Sequence, residues 1–464
     1  MNAIFVIAGV GILALVAEIV NLKRWLTLVV AIGLAASLYF LPLFADHDTV
    51  APPFNAMLIF DGRAVTFTWL IVIVAILWIW MSGGFLRTTG HQTDKTSLII
   101  FVVLGAIIMA SFGNMAMLFL GLEILSLSLY ALAGSKKDSL SSMEAAFKYF
   151  LMGSFATGFL LFGMALIYGA SHSFDLNIIF QYLAGAEQEG QTLPGYFYAG
   201  ILMMMVGLAF KISAVPFHFW APDVYDGSPT AVTALMATVV KIAAIAAFWR
   251  IFGLLFGLTA GVWLKALFGL VVLTLAIPNI TAIYQQKAKR MLAYSSIAHV
   301  GYILLGFLAV VRGGLVNPLF IIYYLAAYSI ASLAAFSVLI KVEENGGSFA
   351  GLYYRNKWLA VTMLIALLSM AGIPPMAGFA AKYYIFIIAL SKQYTGLVLF
   401  AVAMSLVSVY YYFRIIIQMF DKNAPVEPVE VSWSTAIFNF VAVVLLIVMG
   451  LFPSVGQIAK IMWH

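Results

Sequence analysis

Apolar residues run through this chain in blocks of about 20, the length that crosses a hydrocarbon core as an α-helix, and polar residues collect between them. The pattern predicts fourteen spans. Spans 1 to 3 lie near residues 2–22, 25–44 and 63–84, and spans 4 to 8 near 96–111, 113–133, 144–169, 195–215 and 229–253. Spans 9 to 13 lie near 256–285, 291–311, 317–341, 357–391 and 395–420, and span 14 near 432–452. The longest connections, near 45–62 and 170–193, are too short for a soluble domain.

Spans 4 to 8 and 9 to 13 make two sets of five, and each set holds one span interrupted by proline close to a lysine. The first interruption is KISAVPFHF, with Pro216, and the second is SMAGIPPMAGFAAKYY, with Pro374 and Pro375. An odd number of spans per set turns the second set upside down relative to the first. Interrupted helices at corresponding places in two halves point to inverted repeats around a midplane site. The chain therefore divides into residues 1–95 (spans 1 to 3), 96–253 and 256–420 (the two repeats) and 421–464 (span 14), all within one membrane domain.

Composition agrees with the pattern. Of 464 residues, 64% are hydrophobic and 9% charged, which lies outside the range of soluble domains and predicts an all-α polytopic membrane protein. With no cysteine there is no disulfide, thiolate metal site or cysteine-bound iron–sulfur cluster. The net charge of +6 comes from scattered loop residues, which argues against nucleic acid. The first span has no basic residue before it and no small-residue cleavage pattern after it, so it is expected to be retained.

Loops after odd-numbered spans, helix ends included, carry Lys23, Arg24, Arg87, Lys95, Lys136, Lys137, Lys287, Lys289, Arg290, Lys341, Arg355, Lys357 and Lys422. The opposite loops carry Arg63, Arg250, Lys265, Arg312, Lys392 and Lys460, together with Asp46, Asp48, Asp175, Glu187 and Glu189. The positive-inside bias places both termini outside the cytoplasm.

A few ionisable residues stand inside this apolar pattern. A lysine at the centre of a spanning helix costs about 2.5–3.5 kcal/mol on insertion scales, so it faces a partner or a wet cavity. Lys211, Lys241 and Lys382 are three such residues, and burial makes an ammonium able to release and recover a proton near neutral pH. The plainer alternative for each is a fixed ion pair between helices. Glu123 lies about ten residues into span 5, roughly 15 Å deep at 1.5 Å per residue. It is either a titrating partner for a lysine or a carboxylate kept neutral by Ser126 or Ser128.

His299 shares a helix face with Ser295, Ser296 and Tyr302, and His218 follows the first break. Both are secondary relay candidates, because histidine exchanges protons near pH 7. Each could equally be hydrogen-bonded in place. Glu144 and Lys148, spaced i,i+4 at the start of span 6, form either a structural pair or a point of proton uptake. Tyr324, Tyr328 and Ser332 form a polar stripe read as interhelical contact or water contact. The Met203–Met205 run is packing, and no phosphate loop, zinc-spaced histidine pair or nucleophile elbow is present.

The stretches VPFHFWAPDVYDGSPTAVTA, GLEILSLSLYALAG and AGIPPMAGFAAKYYIF resemble subunit N of the bacterial proton-translocating NADH:quinone oxidoreductase, respiratory complex I. The resemblance covers nearly the whole chain and departs at Ala231, where proline is expected. It implies a fourteen-helix antiporter-like fold of two inverted five-helix repeats in the bacterial cytoplasmic membrane. By the same resemblance Glu123 pairs with Lys211, Lys241 is the central relay, and Lys382 is the terminal group toward the exit or a neighbouring subunit. NADH, flavin, iron–sulfur clusters and quinone are then expected in partner subunits, among them sister antiporter-like subunits, with no cofactor or metal in this chain. The remaining alternatives are a subunit of a multisubunit sodium/proton antiporter, a structural membrane spacer, and a quinone-binding redox subunit.

Overall fold

The computed structural model describes residues 2–17, 26–41, 57–87, 91–312, 319–423 and 427–453. Five residues named for loop charge, Lys23, Arg24, Asp46, Asp48 and Lys460, lie outside the described residues. The chain begins with α1 (Asn2–Val16), α2 (Leu26–Tyr39), α3 (Gly62–Met81) and the short α4 (Gly83–Arg87). Then come α5 (Gln92–Ser111), α6 (Met115–Ala133), α7 (Leu140–Ser171), α8 (Leu176–Gln188), α9 (Gly195–Ile212) and α10 (Trp220–Gly227). Next are α11 (Thr230–Ala237), α12 (Val239–Phe248), a π-helical stretch (Trp249–Leu255), α13 (Ala260–Ile283), α14 (Ala288–Arg312) and α15 (Leu319–Glu344). The chain ends with α16 (Leu352–Arg355), α17 (Lys357–Ala371), α18 (Ala377–Ser391), α19 (Thr395–Met419) and α20 (Trp433–Leu451).

Eleven stretches among the described residues are long and apolar enough to cross a membrane, and α1, α2 and the interrupted α17–α18 pair are shorter apolar helices. They account for the fourteen expected spans. Three details differ from expectation. The connection after span 6 folds into α8, whose start is capped by the Asp175 side chain. Span 8 is interrupted at Thr238, whose backbone (φ −118°, ψ −84°) leaves the helical region. It then ends in the π-helical stretch, a geometry found mostly as single turns inside helices.

Burial separates an axis from a rim. The Thr230–Leu255 stretch is 100% buried, whereas α20 is 22% buried with its other residues turned outward. In a bilayer an exposed apolar helix face is the lipid face, so α19, α20 and the outer side of α7 form the rim. The axis consists of α11, α12, α14 and α15. α12 packs on α3, α5 and α9, while α14 lies between α13, α18 and α10.

Both expected breaks are present and share one device. α9 ends with Ser213 in the left-handed region (φ 62°), and Ala214 N–H reaches back to the Ala209 carbonyl at 2.8 Å. α17 ends with Gly372 (φ 84°), and Ile373 N–H reaches back to the Leu368 carbonyl at 3.0 Å. This is the Schellman arrangement, and Pro216 and Pro374 follow because proline cannot continue a helix. Ser213 accepts a conformation that an L side chain rarely adopts, which marks the first break as locally strained.

Backbone groups freed at a break need partners where water is scarce. Val215 N–H donates to Thr274 Oγ1 on α13 at 3.0 Å, and the Trp220 indole donates to the Phe210 carbonyl at 3.1 Å. At the second break Gly378 N–H donates to Ser369 Oγ at 3.1 Å. A side chain at Gly378 would collide with the Ser369 carbonyl, so α18 can cross the end of α17 this closely only as glycine. Thr274→Val should leave the buried Val215 N–H unpaired and destabilise the protein by about 1–3 kcal/mol. The check is the unfolding midpoint in detergent, with Thr274→Ser expected to stay near wild type.

Candidate functional site

The interior polar groups gather in sets around Lys211, Lys241 and Lys382. Lys211 is in the last turn of α9, one turn before the break, and is 4% exposed. Its Nζ donates to Ser126 Oγ at 2.8 Å and to the Tyr149 hydroxyl at 3.2 Å. Tyr149 is fixed by stacking on Trp220, with ring centroids 4.6 Å apart. Glu123 Oε1 accepts from Thr157 at 3.0 Å. Among the described residues Glu123 and Lys211 make no direct salt bridge, although they are close enough to interact electrostatically. Thr157 bonds Glu123, while Ser126 and Tyr149 bond Lys211. A cavity of about 10 Å³, at the lower limit for a single water, is lined by Ser126, Thr157 and Lys211.

Lys241 lies three residues past the Thr238 interruption and is 2% exposed. Its Nζ donates to the backbone carbonyl of Ser296 on α14 at 2.6 Å. One turn further along α14, His299 is held from both sides. Nδ1 meets the Tyr324 hydroxyl at 2.7 Å, and Nε2 meets the Tyr412 hydroxyl at 3.3 Å. Tyr412 is also bonded to Ser295, and the Tyr328 hydroxyl donates to Ser296 Oγ at 2.7 Å. The predicted Ser295, Ser296, His299 and Tyr302 face is therefore the polar side of α14, and the Tyr324–Tyr328 stripe of α15 is its partner. Tyr412, on α19, is a residue the sequence reasoning missed. Its signal was the YYYF run of span 13, in which a tyrosine stripe recurs on a second helix.

Beyond His299 another cavity of about 10 Å³ is lined by His299, Tyr324, Ser369 and Gly378, which places it against the second break. On the other side of that break Lys382, 4% exposed, donates to the Ala371 carbonyl at 2.9 Å and to Ser405 Oγ at 2.8 Å. Its ammonium lies 4.8 Å from the Tyr302 ring centroid, a cation–π distance. Lys382 thus serves the second break as the Trp220 indole serves the first, by occupying a carbonyl at the end of the broken helix. Ser405 and Thr157, like Tyr412, were not anticipated.

Of the secondary candidates, His218 is buried beside Phe219, and among the described residues its Nδ1 has no hydrogen-bond partner. It joins none of the interior contacts. Glu144 and Lys148 form the expected pair at 2.6 Å, and the pair belongs to a larger surface cluster. Asp223 on α10 binds Lys148 at 3.1 Å and Arg290 at 2.7 Å, tying α7 and α14 to the connection after the first break. Asp226 binds Lys287 at 2.9 Å, and Thr230 donates to Glu343 at 2.5 Å. Among the described residues no group of histidine and carboxylate side chains is arranged to hold a metal.

Helices interrupted beside buried lysines, in an otherwise apolar bundle, define an antiporter-like polytopic membrane protein. A family profile described as NADH:quinone oxidoreductase/Mrp antiporter, transmembrane, matches residues 112–408. NADH-quinone oxidoreductase subunit N of Cytophaga hutchinsonii is 40% identical, with 98% of each chain covered. Among solved structures, a chain of respiratory complex I from Thermus thermophilus superposes with a TM-score of 0.81 at 32% identity, covering 99% of this chain and 98% of that one. A chain of an archaeal membrane-bound sulfane sulfur reductase gives 0.84 at 25% identity, covering 99% and 95%. The chain belongs to the NADH:quinone oxidoreductase/Mrp antiporter family, and within it to the subunit N group of NADH-quinone oxidoreductases.

Asp223 lies outside the spans, and its charge state decides whether the surface cluster holds. Partial burial alone would raise its pKa, but hydrogen bonds and charges from Lys148 and Arg290 outweigh burial and keep the carboxyl below its ordinary value. A depressed carboxyl pKa adds stability above the unfolded value near 4, and that stability is lost as pH falls through the folded value. Hydrogen exchange at the start of α7 and around 285–290, corrected for intrinsic rates, should therefore speed up below about pH 4. Asp223→Asn should reproduce the loosening at neutral pH.

Proposed function

We propose that this chain translocates protons as a membrane subunit of complex I, using Lys211, Lys241 and Lys382 as successive carriers. Glu123 acts as the carboxylate that biases Lys211, and His299 as the link to Lys382. The observation that carries this reading is that three lysines, each at least 95% buried, are held among the described residues by hydroxyl and carbonyl oxygens and not by carboxylates. A lysine serving only to pin helices would be expected in a salt bridge. Glu144 and Lys148 are assigned to the cytoplasmic mouth, and His218 to a structural place beside the break.

The two repeats, 96–253 and 256–420, provide the symmetry of the path. Each contains a helix ended by the same left-handed cap, followed by proline and accompanied by one buried lysine. Both chain termini face the periplasm in this reading, so the Asp223 cluster opens to the cytoplasm. NADH, flavin, iron–sulfur clusters and quinone reside in partner subunits, and sister antiporter-like subunits adjoin this one in the bacterial cytoplasmic membrane.

The path works by charge coupling. With Lys211 drawn toward Glu123, Lys241 feels little repulsion and takes up a proton. When Lys211 turns away from Glu123, two like charges about 6 Å apart at an effective dielectric near 20 repel by about 2.8 kcal/mol. That is worth roughly a hundredfold in the equilibrium for proton release. The proton leaves toward His299. An imidazole with a hydroxyl on each nitrogen can take a proton at Nε2 from the Tyr412 side and give one up at Nδ1 to the Tyr324 side. The cavity at Ser369 and Gly378 then leads to Lys382.

Lys241→Ala in the assembled complex should abolish this subunit's share of proton uptake and so lower the protons taken up per electron transferred. Undiminished protons per electron would remove Lys241 from the path. Tyr412→Phe keeps the ring and deletes the hydroxyl, so folding should be unchanged. Coupled pumping should fall several-fold with a larger solvent deuterium isotope effect, whereas wild-type values would show that the proton bypasses Tyr412.

A further inference from the structure

A further cavity shares no lining residue with the contacts of Lys211, Lys241 and Lys382. It measures about 640 Å³ and opens where α2 and α20 begin and where α3 and α15 end. Its inner wall is apolar, from Leu28, Ala31, Ile76, Ile79 and Ile340. Its rim is polar, from Ser82, Ser432, Ser434 and Thr435 together with Lys341 and Glu344. From the helix ends to Ala31, Ile76 and Ile340 is about one to one and a half helical turns, or roughly 6–8 Å at 1.5 Å per residue. That resembles the headgroup layer on one side of a bilayer, about 5–7 Å thick. Trp80, whose indole donates to Ser434 at 3.0 Å, and the exposed Trp433 stand at the same level, where tryptophan marks the interface.

An apolar wall below a polar rim suits an amphiphile. The charges on the rim say which kind. Lys341 Nζ binds Glu344 at 2.7 Å, so among the described residues the rim carries one positive and one negative charge side by side, which balance. The nearby Lys95 is held against the Phe85 ring and does not line the cavity. Lys341 spends one of three N–H donors on Glu344, and the Ser82 hydroxyl has only a long 3.5 Å contact with the Ile79 carbonyl. These donors can serve a phosphate, and Glu344 can accept from an ammonium. An anionic headgroup would meet Glu344 without compensation, and a choline would bring no N–H for it to accept. We propose that this cavity binds a phosphatidylethanolamine, its phosphate on Lys341 and Ser82, its ammonium on Glu344 and its glycerol and upper acyl chain along Ile76, Ile79 and Ile340.

The test uses the assembled complex purified in mild detergent, with bound lipids extracted and counted by mass spectrometry. Lys341→Met combined with Glu344→Gln removes both charges at nearly constant shape, and Ala31→Phe fills the apolar wall without touching the rim. The charge-removed variant should retain one equivalent less phosphatidylethanolamine than wild type at unchanged phosphatidylglycerol, and Ala31→Phe, where it folds, should lose the same equivalent. Unchanged phosphatidylethanolamine in the charge-removed variant overturns the proposal, as does loss of phosphatidylglycerol or an isoprenoid quinone in its place. Because the chain has no cysteine of its own, Ser434→Cys can report a protein occupant. A short bifunctional reagent joining that cysteine to another subunit would also overturn the lipid assignment.

Discussion

An ammonium group removed from water has to be solvated by the protein, and the interior of this chain is organised around doing so at Lys211, Lys241 and Lys382. Transfer of a bare charge into an apolar medium costs far more than the few kcal/mol that stabilise a domain. The oxygens come from hydroxyls at Ser126, Tyr149 and Ser405 and from main-chain carbonyls at Ser296 and Ala371. One of these carbonyls, that of Ala371, sits at the C-terminal end of a helix cut short by a break. Breaking a helix therefore creates part of the solvation that a buried lysine needs, and the lysine in turn satisfies a carbonyl that the break exposed. At the second break each feature supports the other.

That reciprocity explains what could be read from the sequence. Proline and lysine are visible one residue at a time against an apolar background, so both breaks and all three lysines could be placed from spacing alone. Glu144–Lys148 was equally accessible, because an i,i+4 pair is local. The interruption at Thr238 was hidden, since the Thr-Val-Val run contains no proline or glycine and the break is imposed by packing in a fully buried stretch. Tyr412 was hidden for another reason. Its role depends on α19 reaching α14, and no short-range pattern carries a contact between residues 117 positions apart. Asp223 shows the same limit at the surface, where its partners Lys148 and Arg290 come from two other helices.

The two breaks are alike in backbone and different in chemistry. Lys211 precedes its break and points back to hydroxyls on α6 and α7, whereas Lys382 follows its break and caps the broken end itself. In the first half the indole of Trp220 does the capping, which leaves the Lys211 ammonium uncommitted to the backbone. A lysine resting on two hydroxyls can move between neighbours without uncovering a carbonyl. A lysine that caps a helix end cannot, because leaving orphans the carbonyl at a cost of about 1–3 kcal/mol. The hydrogen bonds thus leave the Lys211 ammonium off the backbone and tie that of Lys382 to it.

The kind of oxygen around each amine matters in the same way. A carboxylate partner would hold the ammonium charged, and removing the proton would strand a buried negative charge. A hydroxyl is both donor and acceptor, so Ser126, Tyr149 and Ser405 can accept from a charged lysine and donate to a neutral one by rotating an O–H. Lys241 has a carbonyl instead, which only accepts, yet a neutral amine still has two N–H groups to offer it. Both protonation states of all three lysines can therefore be hydrogen-bonded with little rearrangement. In the proposed relay a single carboxylate, Glu123, held by Thr157, would supply a bias without locking any of the three lysines.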